Sequence, residues 1–170
     1  GAEVFLLDYS EIIVGLSGER GFEDTRSGAW TEAEWYISSR WTVRGGLRGA
    51  HFGESQTTRV EPRFAAAFQP YENGTISLAS GRFSQPQSNQ NRVVSKGIEP
   101  SSADHIQFSF QHANSKRTLR AETYYKAYDG LAVLENGTIK AEGEGYARGF
   151  DLFYRDRSLI KNADYRITNR

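Results

Sequence analysis

The stretch 145–156 (GYARGFDLFYRD) alternates between apolar and polar residues, and this alternation constrains the fold more than any other feature. In an extended strand, successive side chains point to opposite faces, so Phe150, Leu152 and Tyr154 share one face and Asp151 lies on the other. In a soluble sheet the apolar face would meet a protein core. In a membrane barrel it would meet lipid, and the charged face would line water.

The same period of two recurs along the chain. It is clearest at 41–52, where Trp41, Val43 and Leu47 alternate with Arg44 and Arg48. This pattern, together with abundant aromatic residues and glycine, predicts an all-β protein. About nine strands are predicted, at residues 4–17, 29–37, 41–52, 59–69, 75–83, 105–112, 117–128, 149–156 and 164–170.

The predicted connections fall into two classes. Those at 38–40, 70–74 and 114–116 are tight, and the one at 70–74 contains an Asn-Gly turn signal. Those at 18–28, 84–103 and 129–144 are long, and only the connection at 53–57 is shorter than the others of its class. In an antiparallel up-and-down meander the two classes lie at opposite ends of the sheet. Short turns at one rim and long loops at the other are typical of outer-membrane barrels.

Composition excludes several classes of function. The 21 basic and 21 acidic residues cancel, which argues against a nucleic-acid partner. There is no cysteine, and His51, His105 and His112 do not have a metal-binding spacing. No cofactor fingerprint or nucleophile elbow is present, and a catalytic role for the acid pair Glu32 and Glu34 has no further support. We therefore predict neither an enzyme nor a cofactor or metal site.

Alternation assigns the strand residues to two faces. If the sheet is a barrel wall, one face is predicted to line the lumen and the other to face the membrane. The lumen-facing candidates are Glu32, Glu34, Arg44, Arg48, Arg63, Gln107, Arg120, Glu122, Lys126 and Asp151. The membrane-facing candidates are Trp35, Trp41, Val43, Leu47, Phe64, Phe68, Leu78, Phe108, Phe110, Leu119, Tyr125, Phe150, Leu152 and Tyr154.

Each set has two interpretations. The lumen-side charges either guide a solute and hold an inner domain or pair with one another, and mutual pairing is favoured. On the membrane side, Trp41, Tyr125 and Tyr154 either stack on a ligand or form an interfacial aromatic girdle, and the girdle is favoured.

An ordered set of motifs from about residue 30 to the end resembles the barrel region of TonB-dependent outer-membrane receptors, particularly those of Bacteroidetes type. No single motif is specific, but their order is. The matching motifs are 30–48 (WTEAEWYISSRWTVRGGLR), 62–64 (PRF), 81–83 (GRF), 103–105 (ADH), 121–126 (AETYYK) with Tyr128, and 145–156.

The resemblance implies a transporter in the outer membrane of a Gram-negative bacterium. Receptors of this type close a barrel of about 22 strands around an N-terminal plug and import a scarce nutrient, such as a ferric chelate. The implied partners are outer-membrane lipid, the plug of the same full-length chain, the inner-membrane TonB complex and a small nutrient ligand. Residues 1–170 are expected to be one incomplete barrel segment, without the plug and closing strands.

Two alternatives remain open at this point. One is a small autonomous outer-membrane barrel with an adhesin or structural role. The other is a soluble β-sandwich binding module. It predicts that six apolar side chains are buried against a facing sheet, namely Phe64, Phe68, Phe108, Phe110, Phe150 and Leu152.

Overall fold

The computed structural model describes residues 1–12, 19–157 and 165–169. Within these residues the chain forms nine strands and one short helix. Their bounds are β1 Ala2–Ile12, β2 Glu19–Ser38, β3 Trp41–Phe52, β4 Thr57–Tyr71, β5 Gly74–Gln85, α1 Asn89–Val94, β6 Ser101–Ala113, β7 Arg117–Glu135, β8 Thr138–Asp156 and β9 Tyr165–Asn169.

The described strands form one sheet in the order β1-β2-β3-β4-β5-β6-β7-β8-β9, and every neighbouring pair is antiparallel. The predicted all-β antiparallel meander is therefore confirmed. Seven long strands, β2 to β8, make up most of the sheet, and β1 and the short β9 lie at its two edges. The tight connections predicted at 38–40, 70–74 and 114–116 are all turns at one rim of the sheet.

Two of the three long loops predicted from the sequence are wrong. Residues 19–28 belong to β2 and pair with β1, and most of 129–144 is the far end of the β7–β8 hairpin. Residues 19–28 are mostly polar on both faces, while 129–144 combine the consecutive apolar run 131–134 with a side of mainly alanine and glycine. Neither segment therefore shows the alternation that identifies a half-buried strand. Backbone pairing with a neighbouring strand fixes their structure instead. Residues 13–18, at the end of the first predicted strand, and most of the predicted connection 157–163 lie outside the described residues.

The third predicted loop, 84–103, also differs from the prediction. Strand β5 extends to Gln85, β6 begins at Ser101, and α1 lies between them. Ser88 caps the helix, because its side chain accepts a hydrogen bond from the backbone N–H of Asn91. With only six residues, α1 is too short to show helical periodicity in the sequence. We refer below to residues 86–100 as the crossing segment.

The turn at the tip of the β7–β8 hairpin requires positive φ at both of its central residues, Asn136 (49°) and Gly137 (78°). We expect Gly137→Ala to destabilise the tip by about 1 kcal/mol, because a Cβ disfavours this conformation. Hydrogen exchange of the tip amides should then accelerate about fivefold, while exchange in β5 and β6 stays unchanged. Asn136→Gly serves as the control, since glycine adopts positive φ freely, and equal exchange in both variants would contradict the role of the turn.

Candidate functional site

The strand register sorts the two predicted sets of residues onto opposite faces of the sheet. Residues that pair directly across antiparallel strands share a face. Glu34 pairs with Arg44, whereas Trp35 pairs with Val43, and the same alternation holds from β2 to β8. All ten lumen-facing candidates lie on one side, which we call the charged face. All fourteen membrane-facing candidates lie on the other, which we call the apolar face.

Charges on the charged face pair with one another across and along strands. Arg44 lies 3.5 Å from both Glu32 and Glu34, and Arg120 lies 3.5 Å from Glu122. Every pair has at least one side chain that is about half exposed to water, so each contributes only about 0–1 kcal/mol. Their geometry agrees with the interpretation in which the charges of this face pair with one another.

Glu61 is the buried centre of this face, and no pattern in the sequence indicates its role. Its side chain is fully buried, and its carboxylate accepts hydrogen bonds from Arg48 Nη1 at 3.0 Å and from the backbone N–H of Ser84 at 2.9 Å. Arg63 approaches the same carboxylate at 3.6 Å, and Arg48 also contacts Glu3. One carboxylate thus joins β3, β4 and β5.

Pro62 explains why a side chain, and not a backbone carbonyl, accepts the hydrogen bond from the N–H of Ser84. The β4–β5 ladder runs from Tyr71 to Arg63 and stops there. The next residue of β4 is Pro62, which has no N–H to donate to a ladder. Proline is usually confined to strand ends and bulges, but β4 continues past Pro62 to Thr57 through pairing with β3. Beyond the interrupted ladder, the carboxylate of Glu61 replaces a backbone acceptor for Ser84.

The remaining lumen-facing candidates form no compact cluster. Lys126 Nζ lies 5.4 Å from the ring centroid of Tyr124, within reach of a cation–π contact. Asp151 is directly opposite Glu122, and like charges in this position oppose strand pairing. Gln107 is exposed and pairs across the ladder with Tyr124. These residues therefore lie on the charged face of the sheet, at different positions along its strands.

The apolar face carries large side chains that are not covered by any second layer in the described part of the chain. Trp35 and Phe150 are each 55% exposed, and Phe64 and Phe108 are nearly as open. Trp41 stacks on Phe68 with ring centroids 4.5 Å apart. Among the described residues, the buried apolar side chains are Phe22, Ala50, Phe52 and Val93, and none of them is on this face.

Ion pairs bound the apolar face at both rims. Arg82 donates to both carboxylate oxygens of Asp104, at 2.7 and 2.6 Å, near the rim with the crossing segment. At the rim with tight turns, Arg117 donates to Asp156 at 2.8 Å, and the Tyr154 hydroxyl donates to the same carboxylate oxygen at 2.9 Å. The exposed apolar side chains lie between these two charged levels.

The crossing segment packs on the charged face, and Arg92 makes several contacts there. Arg92 Nη2 lies 2.6 Å from Asp24, Arg92 Nε donates to Glu54 at 2.6 Å, and the guanidinium carbon lies 3.9 Å from the ring centroid of Phe22. Three residues further along, Ser95 Oγ accepts a hydrogen bond from the backbone N–H of Ile139 at 3.0 Å. Sequence reasoning missed all of these residues, because their partners are far apart along the chain.

These contacts define the curvature of the sheet. Arg92 reaches β2 and Ser95 reaches β8, and these strands are six positions apart, which is about 29 Å along a sheet at 4.8 Å per strand. Two residues one helical turn apart can reach both strands only if the sheet bends toward the segment. The charged face is therefore concave, and the apolar face is convex.

In residues 1–12, 19–157 and 165–169, no group of three or more His, Asp or Glu side chains is arranged to hold a metal ion. No helix within these ranges is long and apolar enough to cross a membrane.

No family model matches the sequence, and no curated protein matches it significantly. Solved structures with the same fold were found. The FrpB iron transporter from Neisseria meningitidis (F3-3 variant) superimposes with a TM-score of 0.72 at 16% identity, over 83% of this chain and 24% of that one. The ferric yersiniabactin uptake receptor FyuA from Yersinia pestis gives 0.69 at 15% identity, over 83% and 25%. The copper transporter OprC gives 0.65 at 11% identity, over 95% and 33%.

These neighbours are TonB-dependent outer-membrane receptors, and the likeness covers part of their barrel. At such low identity it shows the fold of this chain. The chain spans about a quarter of the length of the first two structures. The Bacteroidetes type expected from the sequence is not supported by these neighbours.

Proposed function

We propose that this chain is part of the barrel wall of a TonB-dependent receptor in the outer membrane of a Gram-negative bacterium. The full-length protein imports a scarce nutrient such as a ferric chelate, and the chain itself carries out no chemical reaction. The observation that carries the proposal is a curved sheet with ion-paired charges on its concave face and exposed aromatic and aliphatic side chains on its convex face.

The dimensions of the apolar face support a membrane-spanning wall. On β6 the exposed apolar band lies between Asp104 and His112, about 27 Å along the strand at 3.4 Å per residue. The lipid-facing band of an outer-membrane barrel is about 25 Å tall, and its strands are tilted. Large apolar patches on a convex face cost free energy in water but are stable in contact with lipid.

The concave face supports a water-filled interior that holds other parts of the same protein. We propose that the plug domain of the full-length chain lies against this face, that the TonB complex energises import through the full-length protein, and that the small nutrient ligand passes along the wall. The zero net charge gives no support to a nucleic-acid partner.

The two alternatives have less support. The β-sandwich requires all six of its named apolar side chains to be buried. Phe64, Phe108 and Phe150 are about half exposed, and the other three are only partly buried. A small autonomous barrel requires β1 and β9 to pair, and in the described part of the chain they lie at opposite edges of an open sheet. The iron and copper transporters that share the fold favour an importer over an adhesin.

Deletion of the full-length gene in its host tests the proposal. We expect the deletion strain to stop growing when one ferric chelate or other scarce metal complex is the only source of that nutrient, and to recover with the intact gene. Inactivation of the TonB complex should give the same defect. Normal growth on every such source, or a protein found in the soluble fraction, would contradict the proposal.

A further inference from the structure

The crossing segment is tied to the concave face by polar contacts at several points. Gln87 Nε2 donates to the carbonyl of Gly130 in β7 at 2.6 Å, and Arg59 in β4 donates to Glu99 at 2.8 Å. Ser95 is bonded to β8. The segment therefore has anchors on both sides of the space that it crosses.

Arg92 is the most deeply buried of these anchors. Its side chain is 3% exposed, that of Asp24 is 1% and that of Glu54 is 11%, whereas Arg59 and Glu99 are open to solvent. Arg26 lies 3.0 Å from Asp24, so two cations and two anions balance within one cluster. Removing Arg92 would leave two buried carboxylates beside one cation, and an uncompensated buried charge is strongly unfavourable.

The helix presents two opposite sides. Arg92 and Val93 are buried against the wall, while Gln90 and Val94 are exposed. The wall beneath the helix includes Phe52, which is buried and lines a small cavity with Pro86 and Pro100. The exposed side therefore faces the space enclosed by the curved sheet.

We propose that Arg92 is a positioning residue that locks the crossing segment onto the concave wall, so that α1 narrows the mouth of the barrel at the rim opposite the tight turns. The role of Arg92 in holding the crossing segment is inferred from the fold and does not depend on the proposed function. The narrowing of a solute path rests on the proposed function.

Thiol accessibility tests the lock, because the chain itself has no cysteine. In the full-length protein in detergent, Val93→Cys should react with a maleimide at least tenfold more slowly than Val94→Cys, since Val93 is 5% and Val94 47% exposed. Adding Arg92→Ala should accelerate labelling of Val93→Cys at least tenfold. Arg92→Lys, which keeps the charge, should restore part of the protection.

Two matched controls separate release of the segment from general loosening. Arg59→Ala removes an exposed anchor, and Arg117→Ala removes the cationic partner of a buried carboxylate at the opposite rim. Both should leave labelling of Val93→Cys unchanged. Labelling that is unaffected by Arg92→Ala, or accelerated equally by Arg117→Ala, would overturn the lock.

Labelling of intact cells with an impermeant maleimide keeps the two proposals distinguishable. Val94→Cys should be labelled from outside the cell if this rim faces the medium. A protein that is labelled in detergent but not on cells would contradict the proposed position of this rim at the cell surface. The comparison of Arg92 variants in detergent would still show whether Arg92 holds the crossing segment in place.

Discussion

Replacement of Glu61 by alanine is expected to destabilise the junction of β3, β4 and β5 by about 3–5 kcal/mol. The variant leaves the Arg48 guanidinium without its buried partner and the Ser84 N–H without its acceptor. Arg48 is partly exposed and keeps its contact with Glu3, which limits the loss. In the full-length protein, amide exchange in this part of β4 and β5 should accelerate at least a hundredfold.

Glu61→Gln is the matched control for this prediction. Glutamine retains an oxygen that can accept from Ser84 but lacks the charge that pairs with Arg48. Its effect should fall between those of the wild type and Glu61→Ala. If Glu61→Ala exchanges as slowly as the wild type, the carboxylate does not replace the ladder that ends next to Pro62.

Phe108→Arg is expected to prevent assembly of the receptor in the outer membrane. Phe108 lies in the middle of the apolar face, between Ile106 and Phe110. An arginine facing the midplane of the bilayer costs about 2–4 kcal/mol. The amount of folded protein in outer-membrane fractions should fall at least tenfold.

Gln107→Arg places the same side chain one residue away, on the charged face. Because this face contacts water in the proposed function, the variant should assemble at close to the wild-type level. Equal losses from both variants, or a loss only from Gln107→Arg, would contradict the assignment of the two faces.

Sequence reasoning predicted the part of the fold in which one face is apolar. Strand β3 was predicted with its observed bounds, because residues such as Trp41 and Leu47 alternate with arginine along its length. The same alternation placed all predicted face residues on consistent sides of the sheet. In a strand with one apolar face, the pattern of apolar side chains determines the register in which it pairs.

The parts that were not predicted lie near the rim with the crossing segment. There β2 continues with mostly polar residues on both faces, β7 has the consecutive apolar run 131–134, and the less polar side of β8 is mainly alanine and glycine. No clear apolar–polar period of two therefore marks these strand ends. The role of Glu61 depends on two strands at once. Pro62 in β4 lies where the β4–β5 ladder stops, and the N–H of Ser84 in β5 then donates to the carboxylate of Glu61. The cluster of Arg92 joins residues about 40 and 70 positions apart along the chain.

The most direct test of the account compares nitroxide labels at two adjacent positions of β5 in the full-length protein in lipid vesicles. Leu78 lies on the convex apolar face, and Ala79 lies on the concave charged face. A label at Leu78→Cys should collide mainly with dissolved oxygen, and one at Ala79→Cys should collide mainly with a water-soluble nickel chelate. The reverse pattern, or two labels that meet only water, would contradict a wall with lipid on one side and an aqueous lumen on the other.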